Sequence, residues 1–384
     1  MNEISVALIP DRFASYRYPL FRALSDIRGC SLRIYADTVE DVKGLKLVDP
    51  KFCDLDKSNG GLEWQSVKNI TFKKLCIWQV GLISKVLSSN HDVYVFWGEA
   101  NRASTWICAL LARMKGAKVV FWSHGLYGNE GFLKHHVRTS FYKLADSMLL
   151  YGSYAKGLLM DEGFYGDDLY VVNNSLDCIE KNRLFKERGF EVPSVKSTYF
   201  KTNDRVLLFL GRLESKKKLS MLIRAVRNLK SQGPYKLLLV GDGGDRENLE
   251  NLVSSMNLKN DVFFYGACYE EEELAPLVMM SHVCVAPGEV GLTAMHSLVY
   301  GTPVITHNKF SEQMPEFEVI KEGESGGYFE HDDQKNMETV ISDVCNKVDS
   351  GEIDSESCRG GVMLNYTVDY QVEVFESMLV KLTS

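Results

Sequence analysis

Arg205-Val206-Leu207-Leu208-Phe209-Leu210-Gly211-Arg212-Leu213-Glu214-Ser215-Lys216-Lys217-Lys218 is the stretch from which the rest of the chain can be read. Its apolar run is short and does not alternate with polar residues, which is the pattern of a strand buried on both faces. It stops at a glycine, which lets the backbone turn sharply. Lys218–Gln232 then carries apolar residues at helical spacing, and Tyr235–Val240 repeats the first pattern, a strand run into Gly241. Downstream, Val262–Tyr265, Val283–Ala286 and Pro303–Thr306 read as strands. Arg246–Met256, Glu271–Met280 and Leu292–Tyr300 read as the helices between them. Strands alternating with helices imply a parallel, doubly wound α/β sheet.

The same rhythm runs upstream. Ile4–Ile9, Leu32–Ala36, Val93–Trp97, Val119–Trp122, Ser147–Tyr151 and Leu169–Val172 read as strands, and Tyr18–Asp26 as a helix. Asp177–Asp204 breaks it with a polar, charged segment containing Pro193. We therefore expect two Rossmann-like doubly wound parallel-sheet domains facing a cleft. The first covers 1–177, a linker 178–204, and the second 205–364. Residues 365–384 form a terminal helix packing back on the first domain. Ligands of such sheets bind at the carboxyl ends of the strands.

Composition narrows the function classes. With 384 residues, 45% of them apolar, the chain can bury two full cores. It has no run of 18 apolar residues, and its N-terminus lacks the basic start and cleavage site of a signal peptide. None of the nine cysteines falls in a C-x-x-C pair, which points to a reducing, cytoplasmic compartment. The net charge of −7 divides into about +2 over residues 1–177 and about −9 over the remainder. An acidic second half argues against nucleic acid as partner. Residues 101–143 hold Arg102, Arg113, Lys115, Lys118, Lys134, Arg138 and Lys143 against Glu130, a patch suited to an anionic membrane or a pyrophosphate-linked acceptor.

Four segments of the second half carry chemistry. After the first strand, Gly211 turns the chain and Arg212 and Lys217 offer a planar fork and a point charge, a pair suited to a diphosphate; a solvated basic turn is the alternative. Gly241-Asp242-Gly243-Gly244 also follows a strand and suits a phosphate or ribose, although a tight βα turn accounts for it as well. Its spacing is not the G-x-G-x-x-G of a dehydrogenase. Pro287-Gly288-Glu289-Val290-Gly291-Leu292-Thr293-Ala294-Met295-His296 runs from a turn into a helix. The N–H groups of Gly291, Leu292 and Thr293 would meet an anion there. Tyr300-Gly301-Thr302-Pro303-Val304 is a helix stop and a buried strand.

In order and spacing these segments resemble the retaining family 4 glycosyltransferases of the GT-B fold (glycosyl transferases group 1). There a strand ends in G-R-L followed by a lysine, a second ends in V-G-D-G, and P-S-x-x-E-G-F-G-L-x-x-x-E-A-M-x-x-G-x-P-V follows. Pro315-Glu316 and Gly326-Gly327 fit as well, and the likeness is close over residues 205–330. Two glutamates of the family's E-x7-E are replaced, for Gly288 stands at the first and His296 at the second. The resemblance implies that Glu289 covers the donor sugar and His296 the ribose, with His124 facing the sugar from the first domain. His124, Arg212 and Lys217 are then the candidate catalytic residues, and Gly211, Gly241, Asp242, Gly291, Leu292 and Thr293 complete the donor set. Arg12, Tyr16, Arg17, Trp97 and Glu99 line the acceptor side.

The resemblance further implies a nucleotide-sugar donor, UDP-sugar favoured, and retention of configuration with no metal and no cofactor. Asp54-Leu55-Asp56 reads as solvated surface rather than a metal pair. The implied acceptor is a glycan or a polyprenyl-pyrophosphate-linked chain, in surface polysaccharide assembly such as O-antigen or capsule. The expected location is cytoplasmic, peripheral at the inner face of the membrane. Phe132–Lys143 and Thr71–Trp78, both read at helical spacing, are candidate membrane faces, with packing against the sheet as the alternative. A GT-B nucleotide-sugar epimerase and a catalytically inactive nucleotide- or sugar-binding module stand as other readings.

Overall fold

The computed structural model describes residues 3–37, 47–48, 61–72, 76–175 and 199–384. Asp54-Leu55-Asp56 and most of the expected linker lie outside them. The chain forms two compact units, one taking residues up to Ser175 together with Val368–Ser384, the other taking Leu176–Thr367.

The strands of the first unit are β1 (Ile4–Ile9), β2 (Cys30–Ala36), β3 (Trp64–Ser66), β4 (Lys68–Phe72), β5 (Cys76–Val80), β6 (Val93–Trp97), β7 (Lys118–Ser123), β8 (Ser147–Leu150) and β9 (Leu169–Val171). Seven of them form a parallel sheet in the order β3-β2-β1-β6-β7-β8-β9. Alternate residues of one strand enter two different cores. Val6, Leu8, Val93, Val95, Val120 and Trp122 face one side, and Ala7, Ile9, Tyr94, Phe96, Val119 and Phe121 the other. Burial on both faces is why these strands read as unbroken apolar runs.

The helix Val368–Thr383 belongs to this unit. Phe375, Met378 and Leu379 enter the core beside Trp122, whose ring centroid is 6.4 Å from that of Phe375. Gln371 locks the helix in place: its Nε2 donates to Asn173 O at 2.8 Å and its Oε1 accepts from Ser175 Oγ at 2.6 Å.

One expectation is corrected. Thr71–Trp78 is not helical; its described residues lie in the antiparallel β4–β5 hairpin, with Asn69 opposite Gln79. Both polar side chains are buried, and Asn69 Nδ2 donates to Asp11 O at 2.7 Å, while Ile70 and Phe72 point outward and are exposed. The pattern is inverted, polar in and apolar out, so periodicity misreads it.

The second unit has β10 (Arg205–Leu210), β11 (Tyr235–Val240), β12 (Val262–Gly266), β13 (Val283–Ala286), β14 (Val304–His307) and β15 (Gly326–Phe329), all parallel, in the order β12-β11-β10-β13-β14-β15. The helix Leu219–Leu229 that follows β10 buries Leu219, Leu222, Ile223, Val226 and Leu229 along one face. Residues 199–204 fold with this unit, Phe200 packing edge-on against Phe263 at 5.0 Å. In both sheets the order reverses beside the first strand, between β1 and β6 and between β10 and β13. Such switch points open a crevice at the carboxyl ends of the strands.

Candidate functional site

In the second unit the turns after β10 and β13 meet at this switch point. Gly211 has φ +145°, a value that L side chains rarely adopt, and it redirects the chain out of β10. Gly241 has the same φ, and a Cβ on it would lie 1.8 Å from Gly211 O. A Cβ on Gly288 would lie 2.1 Å from Lys216 O. The three glycine turns are therefore packed backbone against backbone, and position 288 has no room for a side chain unless the lysine loop moves.

This packing encloses a pocket of about 330 Å3 whose lining includes Arg212, Lys217, Glu289, Gly291, Leu292 and Thr293. Gly211 lines it too; Gly241, Asp242 and His296 do not. Asp242 accepts a hydrogen bond from Gly243 N at 2.8 Å and faces Arg246 at 3.8 Å. His296 lies further along the helix Leu292–Val299, its Nε2 3.8 Å from Glu271 on another helix. Of the expected donor contacts, the diphosphate set is thus brought together and the ribose set is not.

Gly291 makes no side-chain cap on the helix Leu292–Val299, and Gly291, Leu292 and Thr293 at the helix start line the pocket. Thr293 Oγ1 donates to Leu210 O at 2.9 Å and ties the helix start to the end of β10. Glu289 sits between two lysines: its Oε1 is 2.7 Å from Lys216 Nζ and 3.3 Å from Lys217 Nζ. Lys217 Nζ also donates to Glu289 O at 2.9 Å. Burial lowers the pKa of Lys217, and the charge of Glu289 only partly restores it. Burial raises that of Glu289, but the two lysines more than offset this and leave it below the usual glutamate value. Arg212 is the exposed member, 3.8 Å from Glu214.

In the first unit the turns at the corresponding switch point hold a different set. Arg17 follows β1 in a short 3-10 turn and is buried. Its Cζ lies 4.8 Å from the ring centroid of Trp97, 5.2 Å from Tyr16 and 5.7 Å from Tyr151. Arg12 and Glu99 stand in the same two turns, and burial raises the pKa of Glu99 while Arg102 and Arg138 lower it. His124 follows β7, its ring 4.7 Å from that of Tyr151. Burial lowers its pKa to about 4, helped by Arg17 and Arg138, so the imidazole is neutral at pH 7. Its Nδ1 is buried without a hydrogen-bond partner.

Sequence reasoning missed Tyr151, which touches both Arg17 and His124 from the end of β8, and Arg102, which pairs with Asp11 at 3.0 Å. The position of Tyr151 just after a strand was a usable signal for the first. Arg102 stood out only as part of the basic patch, and its pairing was hidden because Asp11 is 91 residues away. The basic patch is also less open than its composition implies. Arg113 pairs with Asp146 and Arg138 with Glu130, and Lys115 donates to Val86 O and Leu87 O at the end of the helix Leu82–Ser88. Phe132 and Leu133 are nonetheless exposed. No helix of the described residues is long and apolar enough to cross a membrane, and no cluster of His, Cys, Asp or Glu among them could hold a metal.

Residues 194–350 match the family described as Glycosyl transferases group 1. The N-acetyl-alpha-D-glucosaminyl L-malate synthase of Bacillus anthracis is 25% identical over 163 residues, 41% of this chain and 39% of that one. The chain spans between 27% and 58% of the length of the curated relatives it matches. A glycosyltransferase from Rickettsia africae ESF-5 superimposes with a TM-score of 0.74 at 16% identity, covering all of both chains. The Anabaena protein HepE in complex with UDP does so with a TM-score of 0.70 at 12% identity, covering 98% of this chain and 100% of that one. The chain has the GT-B fold, and its residues 194–350 are similar to the glycosyl transferases group 1 family.

Proposed function

We propose that the protein transfers a sugar from a nucleoside-diphosphate donor, a UDP-sugar first among them, to a glycan or lipid-linked acceptor. The observation that carries this is the pocket between the turns after β10 and β13. It joins Lys217, Arg212 and an uncapped helix start at one switch point. Such a site stabilises the negative charge that develops on a departing diphosphate. HepE has the same fold and is known bound to UDP, which supports the choice of base. In this reading Lys217 and Arg212 hold the diphosphate, Thr293, Leu292 and Gly291 offer N–H groups, and Glu289 swings from the lysines toward the sugar. The acceptor hydroxyl attacks from the leaving-group side, configuration is retained, and the departing phosphate takes the proton. Neither metal nor cofactor is required. Trp97, Glu99, Tyr16, Arg12 and Arg17 form the acceptor side, and His124 faces the donor sugar. Phe132 and Leu133 beside Lys134 would hold the protein at an anionic membrane during polysaccharide assembly.

An inactive binding module is the second reading. It is favoured by the absence of room for a carboxylate at position 288 and by the ion pairs that occupy Glu289. A thermal-shift screen of UDP, GDP, dTDP, ADP and CMP, with and without magnesium, tests the donor site. A nucleotide at about 100 times its dissociation constant adds roughly 2.7 kcal/mol. The expected result is a metal-independent shift with UDP that Lys217→Ala abolishes. No shift with any nucleotide would overturn the reading. Binding without donor consumption, across acceptors, would move the inactive module ahead.

A further inference from the structure

The environment of Arg17 asks for a partner that the described residues do not supply. A guanidinium stays protonated, and a buried charge is stable only when paired and hydrogen-bonded. Arg17 Nε donates to Tyr16 Oη at 3.1 Å and Nη2 to Tyr151 Oη at 2.9 Å. No carboxylate pairs with it among the described residues. Asp11, which follows the same strand, pairs instead with Arg102 at 3.0 Å. Three aromatic rings surround the cation and fix its plane. Two of its five N–H groups are used in this way, and Nη1 is not among the fully covered, unpartnered polar atoms. A second orphan adjoins it, for His124 Nδ1 is buried without a partner and its ring rests on the same Tyr151. Both stand at carboxyl ends of strands in the switch-point region of this sheet.

We propose that Arg17 anchors an oxyanion of the acceptor, a phosphate or a carboxylate, beside the ring of His124. This rests on the transfer reading above and names the acceptor as an acid rather than a neutral glycan. The rigid guanidinium fork matches the planar or tetrahedral oxygens of such a group, and the aromatic cage holds it ready without reorganisation. A structural role for Arg17 needs only its ring contacts. A binding role needs its remaining N–H groups.

The test is equilibrium binding of three probes at matched ionic strength: sn-glycerol 3-phosphate, L-malate and glycerol. UDP binding is measured in parallel. The acids should bind the wild type and glycerol should not, and the stronger acid identifies phosphate or carboxylate. Arg17→Met should weaken acid binding by about tenfold or more while UDP binding is unchanged. If Arg17→Met fails to fold, Arg17→Lys keeps the charge, loses the fork, and should still weaken the acid at an unaltered melting temperature. Equal acid binding by wild type and variants, or none by a wild type that binds UDP, would overturn the proposal. Acid binding that depends on Arg17 in a protein that binds no nucleotide would sink the donor reading and leave Arg17 standing.

Discussion

In the second unit the turns at the switch point carry long basic side chains that line a pocket, with Glu289 as their counter-ion. In the first unit the matching turns hold Arg17 between ring faces and His124 without a partner. Both sheets place their strands in the same order around the first strand. The difference lies in what each set of loops spends its charge on. A lysine at a glycine-rich turn next to a helix start suits a small, doubly charged group that arrives from water. A guanidinium fixed by Trp97 and two tyrosines suits one group in one orientation. One strand order thus carries two differently charged sets of loops, and on the readings proposed above the loops decide what each unit recognises.

The sharpest way to break this comparison is to damage one unit at a time. Gly241→Ala places a carbon 1.8 Å from Gly211 O. It should cost more than ~4 kcal/mol and abolish nucleotide binding. Phe375→Ala empties the core of the first unit beside Trp122 and should cost about 3–5 kcal/mol, yet leave the UDP shift intact. Urea denaturation with nucleotide titration reads both. If Phe375→Ala also removes UDP binding, the units do not act separately.

A smaller effect tests the diphosphate site. Lys217→Ala should lower kcat/KM by about 100- to 1000-fold, and Arg212→Ala by less, because Lys217 is covered and Arg212 is mostly exposed. Because the pKa of Lys217 is lowered, UDP affinity should weaken at alkaline pH before an ordinary lysine would lose its proton, and Lys217→Arg should remove that limb. Steady-state rates and a pH series of binding curves would show it. Equal losses in both alanine variants would contradict the ranking.

The smallest effect concerns acid. Burial, the largest cause in each case, lowers His91 and His124 to about 4 in the first unit and His307 to about 4 in the second. The unfolded chain binds these protons near pH 6.5, the folded chain only near 4, so stability falls as pH drops through that window. His124 contributes about 3 kcal/mol of this loss. His124→Gln should flatten the acid limb of a stability–pH curve without changing it above pH 7. An unchanged limb would mean that His124 is protonated in the folded protein.

Much of the fold was legible in the sequence. Strands buried on both faces leave unbroken apolar runs, and β1, β6, β7, β10, β11 and β13 were read within a residue or so at their ends. The β4–β5 hairpin was not legible, because Asn69 and Gln79 face inward and defeat a hydrophobic pattern. The glycine turns of the candidate site were legible as turns. That they pack on one another was not, since Gly211, Gly241 and Gly288 meet only after β10, β11 and β13 are paired.

The sequence by itself determined the alternation of strands and helices, the glycine stops after β10 and β11, and the basic residues that follow the first of them. These are local properties, written in runs of a few residues, and local steric and hydrophobic preferences read them directly. The tertiary structure alone decided which charges are spent and which remain. Asp11 pairs with Arg102 and Glu289 with Lys216 and Lys217 across long stretches of chain. Arg17 is left among Tyr16, Trp97 and Tyr151. Pairing and desolvation depend on distances through space, which the order of residues does not contain.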